Sequence, residues 1–244
     1  MIVPFSFLFL GFFLGMRHAT DADHVVAVTT IVSRERSITH AAWIGAFWGI
    51  GHTLTLLLAG GAIIVFGLVV PERLGMSLEF SVALMLILLG LLNFRNFMRS
   101  LRSTAAATLH DHSHAKEFET EEHALERRSS WFDRKFGRLG FYQTLQPMVV
   151  GVVHGLAGSA AVALLVLPLI HNPVWAFGYL LIFGGGTIGG MMLITAAMAL
   201  PISFTARRSA AFHRGIGFAA GFLSVAFGLF LVYQIGFVDG LFTK

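Results

Sequence analysis

The sequence predicts an all-α, polytopic membrane protein with six transmembrane helices, arranged as a 3+3 inverted repeat. The first observation is composition: 56% of the 244 residues are hydrophobic and 12% are charged, whereas a soluble domain is about one quarter charged. The second is that the apolar residues form long, non-alternating runs, which favour helices of about 20 residues over barrel strands. The third is a similarity between the two halves of the chain.

Six segments have the length and composition of membrane spans. The first lacks the basic start and the small-residue cleavage site of a signal peptide, so we expect it to be retained. The chain then divides into a first three-helix membrane repeat (1–98), a cytoplasmic His-rich loop (99–144) and a second three-helix repeat (145–244). The segments run from about 4 to 32, 41 to 69, 78 to 97, 145 to 170, 174 to 200 and 215 to 237.

The distribution of Lys and Arg predicts the orientation of these segments. Fourteen of the 17 lie in or beside the connections after the first, third and fifth segments, against Arg73 and Lys244 on the other side. Because positive charges stay cytoplasmic, we expect these connections inside and both termini outside the plasma (inner) membrane. The net charge of +4 is then a topology signal, and we expect the lipid bilayer, not nucleic acid, as a partner.

The connection between the third and fourth segments is the one long polar stretch. It contains HDHSH, with His110, His112 and His114, followed by an acidic run. Such a composition is typical of a solvated, partly disordered loop. His-rich tracts also bind metals, so the loop is a candidate for weak metal buffering, and the two interpretations are compatible. We do not expect the loop to be the main metal site.

The two halves can be aligned in opposite membrane orientations. GMRHATDADHVVAV overlies GVVHGLAGSAAVAL, which matches His18 with His154 at an offset of 136 residues. Trp43 then falls near Trp175, and the third segment near the sixth, at offsets of 132 and 138. Three spans per half is an odd number, so the second half is inverted. Inverted repeats are common in secondary transporters and have their site near the bilayer midplane.

RHATDADH, residues 17–24, puts charged groups in the middle of the first segment. Each would cost about 2.5–3.5 kcal/mol at mid-membrane, so we expect a function. On a regular helix His18, Asp21 and His24 share one face, which favours Asp21 as a ligand. Asp23 would then orient His24 or pair with Arg17. If the helix is broken here, the order of the two carboxylates can reverse.

Two imidazoles and a carboxylate suit a borderline divalent metal. The chain has no cysteine, which excludes thiolate ligands. Two alternatives remain open at this point, an internal salt-bridge knot through Arg17 and a proton relay without metal. If a metal binds, Arg17 would set the local field and keep the carboxylates ionised.

Three further positions are candidates for the same site. His52 stands alone in the apolar run GIGHTLTLL, and His154 precedes GLAGSAA. Each is either a packing residue or a ligand. The glycine-rich stretch 184–190, with Thr187 inside it and Met191 next to it, is either close packing or an unwound segment that offers carbonyl groups. The predicted metal ligands are therefore His18, Asp21, Asp23, His24, His52 and His154.

The sequence does not indicate an enzyme. It has neither the HExxH motif of zinc proteases nor a phosphate-binding P-loop. A di-iron membrane oxidase would need more intramembrane His or Glu. We therefore expect no permanently bound cofactor.

The motifs HATDADH, GHTLTLL and HGLAGSAA resemble those of the nickel/cobalt transporter superfamily (NiCoT/NicO). They are most similar to its short urease accessory (UreH) and nickel-transport membrane proteins. HATDADH matches the HxxxxDH signature, which implies metal ligation by His18, Asp23 and His24. The larger permeases have eight spans and an acidic motif in the second half, and this chain lacks that leading span and that motif.

The resemblance implies a secondary transporter whose substrate is Ni²⁺ or Co²⁺, and we expect uptake. One alternative is export of the same metals. Another is a non-transporting membrane scaffold for metalloenzyme maturation, with the charged octet as a structural knot. A metallochaperone or the urease maturation proteins are candidate partners.

Overall fold

A computed structural model describes most of the chain and is helical throughout the part described. The residues described are 2–33, 35, 37–67, 71–109, 141–156, 170, 172–206 and 210–243. The loop histidines at 110, 112 and 114 lie outside them. The helices are α1 (Ile2–His18), α2 (Ala22–Val32), α3 (Ile38–Phe66), α4 (Glu72–Leu109), α5 (Phe141–Leu156), α6 (Pro173–Ala206) and α7 (Ala210–Tyr233), the last extended by a π-helical turn (Gln234–Val238).

Four of the described helices are long and apolar enough to cross a membrane. They contain the windows Ile38–Phe66, Glu72–Met98, Pro173–Phe204 and Gly215–Val238, with mean hydropathies of 1.8 to 2.1. The apolar helix α2 has 11 residues and is therefore about 16 Å long, about half of a hydrocarbon core of about 30 Å. The all-helical membrane class is confirmed at the level of four candidate spans, and the six-span arrangement stays a prediction.

The first predicted segment is two helices rather than one. α1 ends at His18, and Asp21 precedes α2 with an extended backbone, φ −61° and ψ 147°. The amides of Thr20 and Asp21 bond the carbonyls of Arg17 and His18 at 2.8 and 3.1 Å, which closes a tight turn. The Thr20 hydroxyl also bonds the Arg17 carbonyl, at 2.5 Å. Such local bonds compete with a helix, so the single face expected for His18, Asp21 and His24 on a regular helix is not formed.

The second predicted segment begins and ends at residues suited to those positions. Ser37 precedes α3, and its side chain accepts a bond from the amide of His40 at 3.3 Å, as helix-capping serines do. Gly67 ends the helix at φ 61°, and its amide donates to the Ile63 carbonyl at 2.9 Å. Glycine adopts this left-handed conformation at little cost.

Four helix pairs form the main contacts: α1 with α6, α3 with α6, α3 with α5, and α4 with α7. Glycines lie at the points of closest approach. A Cβ atom on Gly15 would meet the Phe183 carbonyl oxygen, and one on Gly51 would meet that of Met148. Small residues let membrane helices pack backbone against backbone.

Buried and exposed residues divide as expected for a membrane bundle. Large apolar side chains such as Phe9, Leu58 and Val174 are exposed on the outside, where lipid tails solvate them as well as protein does. The interior contains the fully buried Trp48 and Phe183. It also contains the polar residues of the predicted site.

Candidate metal site

Four histidines from four helices meet inside the bundle. His18 ends α1, His24 lies in the first turn of α2, His52 in α3 and His154 near the end of α5. His18 is 4% exposed and the other three are completely buried. Histidine is only intermediate in its tendency to be buried, and here four buried histidines lie together. The cluster is therefore the strongest functional candidate in the part of the chain that the structure describes.

The break between α1 and α2 turns His18 and His24 toward each other. Their rings meet edge to face, with centroids 4.7 Å apart and planes at 73°. Because the chain changes direction at residues 19–21, two residues six positions apart reach one point. The break between α1 and α2 therefore helps to form the candidate site.

His18 joins the cluster to α3. Its Nε2 lies 3.1 Å from Nε2 of His52, and its Nδ1 lies 2.9 Å from Oδ2 of Asp21. A carboxylate only accepts, so Nδ1 of His18 carries the proton. In the neutral ring, Nε2 of His18 is then the acceptor and His52 the donor. Asp21, whose side chain is 46% exposed, orients His18 from the edge of the site.

Asp23 joins α2 to α5. One oxygen accepts a bond from Nε2 of His154 at 2.8 Å. The other accepts from Nδ1 of His24 at 3.1 Å and from the His24 amide at 3.0 Å. Its side chain is 20% exposed, less than half as much as that of Asp21. The broken helix thus puts Asp23, not Asp21, between two histidines.

Several buried polar atoms at the cluster have no hydrogen-bond partner among the residues that the structure describes. They include Nε2 of His24, Nδ1 of His52, Nδ1 of His154 and Nε1 of Trp48. Unpaired buried polar groups are rare and costly, and one common explanation is an ion or ligand that they bind. Nε2 of His24 is the most informative, because His24 belongs to both groups of side chains that could hold a metal ion.

Two sets of three residues offer ligand atoms within 4.8 Å of one another. One set is His18, His24 and His52, and the other is Asp23, His24 and His154. Around a tetrahedral metal with bonds of about 2.1 Å, ligand atoms lie about 3.4 Å apart. A small inward movement of these side chains is therefore enough to surround an ion.

The remaining predicted residues take other places. Arg17 is exposed, and in the described region the ion pairs of Asp21 and Asp23 are with histidines. Thr187 is buried and its hydroxyl bonds the Phe183 carbonyl at 3.0 Å. Met191 is buried in the apolar core. The stretch 184–190 is helical throughout and is not an unwound segment. Gly184, Gly186 and Gly190 lie at close contacts with neighbouring helices.

Sequence reasoning missed the two aromatic walls of the site. The Trp48 ring is stacked on the His24 ring, with centroids 6.2 Å apart and planes at 15°. The Phe183 ring centroid lies 5.7 Å from that of His18. Trp48 precedes His52 by four residues and so shares its helix face. That spacing was the signal that could have found it.

Together these features define a helical membrane protein with a buried cluster of side chains that could hold a metal ion. Residues 5–213 match the model of the NicO family, described as high-affinity nickel-transport protein. The chain is also 35% identical over 237 residues, 97% of this chain and 95% of the relative, to a urease accessory protein UreH from Bacillus sp. (strain TB-90). The chain therefore belongs to the high-affinity nickel-transport protein family, as its motifs predict. No solved structure matches it.

The family membership bears on two other predictions. A nickel-transport family is a family of membrane proteins and not of enzymes. The functions predicted from the motifs are supported at a coarser level, as metal transport or urease maturation.

Proposed function

We propose that the protein is a secondary transporter that takes up Ni²⁺ or Co²⁺ through a site made of His18, Asp23, His24, His52 and His154. The observation that carries this proposal is the meeting of four buried histidines and one carboxylate from four helices. The family supplies the substrate class, since its description names nickel transport. Asp21 has a supporting role, as the partner of His18.

The donor chemistry favours a borderline transition metal. Imidazole suits nickel and cobalt, whereas calcium and magnesium prefer sites made of oxygen. Imidazoles replace the water that the ion loses when it enters the bundle, and the Asp23 carboxylate offsets part of its charge. A site of this kind also explains why charged residues stand in an apolar segment, where they cost about 2.5–3.5 kcal/mol each.

We also propose the inverted repeat, and equivalent contacts between the halves support it. A Cβ atom on Gly15 would meet the carbonyl oxygen of Phe183, and one on Gly151 would meet that of Trp48. Adding 136 to Gly15 gives Gly151, and adding 135 to Trp48 gives Phe183. The contact between α1 and α6 thus repeats as the contact between α5 and α3.

The pair α4 and α7 repeats a contact in the same way. A Cβ atom on Gly90 would meet the Gly221 carbonyl oxygen at 2.6 Å, and one on Gly228 would meet that of Ala83 at 2.8 Å. Both glycine and partner are shifted by 138 residues. The offset between α3 and α6 is 135, as it is for Trp48 and Phe183. With this offset Trp43 corresponds to residue 178 and not to Trp175.

The proposed topology has six spans with the site near the midplane. Its units are the repeats 1–98 and 145–244, separated by the loop 99–144. By the positive-inside rule the loop is cytoplasmic and both termini are outside the plasma membrane. His110, His112 and His114 would then buffer metal on the cytoplasmic side.

Uptake of radioactive nickel tests the transport proposal. We expect His18→Ala and His24→Ala to reduce ⁶³Ni²⁺ uptake to background while the protein is still present in the membrane. His40→Ala is the matched control, because His40 lies at the start of α3 and bonds Glu35 at 2.5 Å, outside the cluster. Normal uptake in both cluster variants would overturn the proposal, and a rise in cellular nickel on deletion would indicate export.

The similarity to a urease accessory protein favours a second candidate, a membrane scaffold for urease maturation. The two functions differ in their response to external metal. If the protein supplies nickel, excess nickel in the medium restores urease activity to a deletion strain. If it is a scaffold that urease maturation proteins need, excess nickel has no such effect.

A further inference from the structure

The two ligand sets of the cluster share one residue, His24. We propose that the ion occupies two positions in succession, one between His18, His24 and His52 and one between Asp23, His24 and His154. In this proposal His24 passes the ion from one position to the other. The inference rests on the proposed transport function and concerns how the same cluster works.

The position of His24 in the cluster supports this role. Its ring centroid lies 4.1 Å from that of His154, 4.7 Å from His18 and 5.3 Å from His52. His52 and His154 are farther from each other, at 6.2 Å. His24 is therefore the ring that both groups contact.

The two nitrogens of His24 face different partners. Nδ1 lies 3.1 Å from Asp23, in the second set. Nε2 is buried and has no hydrogen-bond partner in the described part of the chain, which leaves it for an ion in the first set. A neutral imidazole has one nitrogen free to accept at a time. While Nδ1 carries the proton that it donates to Asp23, the ring binds an ion through Nε2; binding through Nδ1 requires the other tautomer, with the proton on Nε2. The ring therefore serves one position at a time, and the ion moves between the two.

The two positions differ in charge and burial. The first consists of three buried imidazoles, whereas the second has a carboxylate whose side chain is 20% exposed. Because it contains a negative charge, the second position attracts the cation more strongly. A pathway with several moderate sites lets an ion enter and also leave.

The proposed repeat gives the two positions a common origin. His18 and His154 correspond at the offset of 136 residues, and they belong to different sets. A handover from one set to the other thus transfers the ion from a histidine of the first repeat to its counterpart in the second. Thr187 takes the place of His52 in the second repeat, so the two positions are not identical.

Single substitutions distinguish two overlapping ion positions from a single binding site. His52→Ala removes a ligand of the first set alone, and His154→Ala removes one of the second set alone. We expect each purified variant to retain ⁶³Ni²⁺ binding in detergent and to lose uptake in cells. His24→Ala should lose both, because it belongs to both sets. X-ray absorption of bound Ni²⁺ should show imidazole ligands in His154→Ala, and imidazole with carboxylate in His52→Ala.

Two results would overturn the handover. One is that His52→Ala or His154→Ala loses Ni²⁺ binding as completely as His24→Ala, while the Ala variant and its Asn counterpart (His52→Asn or His154→Asn) both elute as folded protein. The other is uptake at the wild-type rate in either variant. In both cases the proposal of transport stands if the wild-type protein binds Ni²⁺ and takes it up in the same experiments. Wild-type protein that does neither refutes the transport function itself.

Discussion

Residues 184–190 and residues 19–21 both looked able to interrupt a helix in the sequence, and in the structure they behave differently. The stretch 184–190 has five glycines and stays helical within α6. Residues 19–21 have no glycine and end α1. The comparison teaches that, in this bundle, glycines do not interrupt a helix but let neighbouring helices approach, whereas the helix ends where Thr20 bonds the Arg17 carbonyl and Asp21 adopts an extended backbone.

Each stretch serves the site in its own way. The break aims His18 and His24 at each other and leaves Asp23 between His24 and His154. The glycines of α6 bring α1 and α3 close, since a Cβ on Gly186 would meet Phe12 and one on Gly184 would meet Thr53. Residues 19–21 orient the candidate ligands, and the glycines of α6 set the distance between the helices that hold them.

Neutralising the carboxylates at the break should give the largest effect. Asp23→Asn should reduce ⁶³Ni²⁺ uptake to background, because Asp23 bonds two buried histidines and carries the charge that offsets the ion. Asp21→Asn should weaken uptake by about tenfold, the lower end for groups that orient a ligand, because half of its side chain is exposed. Equal losses in the two variants would contradict the assignment of Asp23 as the ligand.

Adding a methyl group to the glycine stretch should have the next largest effect. Gly186→Ala forces a Cβ against the Phe12 backbone and should lower the free energy of unfolding by about 1–3 kcal/mol. Gly185→Ala is the matched control, since a Cβ there has nothing within 4 Å, and it should be neutral or stabilising. Thermal unfolding in detergent would compare the two, and equal stability would argue against packing as the role of these glycines.

Removing one hydroxyl from the break should give the smallest effect. Thr20→Ala loses the bond to the Arg17 carbonyl and should lower the free energy of unfolding by about 0.5–1 kcal/mol. The control is Thr29→Ala, because Thr29 makes a similar bond to Val25 inside the continuous helix α2. There alanine favours the helix, so no loss of stability is expected. A loss in Thr29→Ala as large as in Thr20→Ala would show that the hydroxyl has no special role at the break.

The membrane class and the site residues could be predicted because they depend on composition and residue chemistry. Long apolar runs give helices in lipid whatever the tertiary structure. A charged octet in such a run, with lone histidines in two other runs, indicates a buried polar site. The structure does bring His18, His24, His52 and His154 together. That these residues bind metal stays a prediction.

The choice between Asp21 and Asp23 could not be made from the sequence. It depends on where the helix ends, and α1 ends where local bonds of Thr20 and Asp21 compete with helical ones. The register of the proposed repeat could not be chosen from the sequence either. Apolar segments align at many offsets, and the contacts of Gly90 and Gly228 support the one proposed.

The stacking of Trp48 against His24 has an optical consequence. The indole lies 6.2 Å from the ring of His24 and 5.7 Å from that of His154. Ni²⁺ and Co²⁺ are paramagnetic and quench the fluorescence of a nearby indole. Of the tryptophans in the part of the chain that the structure describes, Trp48 is the one stacked on this cluster. Under the proposed function, its emission would report an ion at the cluster without any added label.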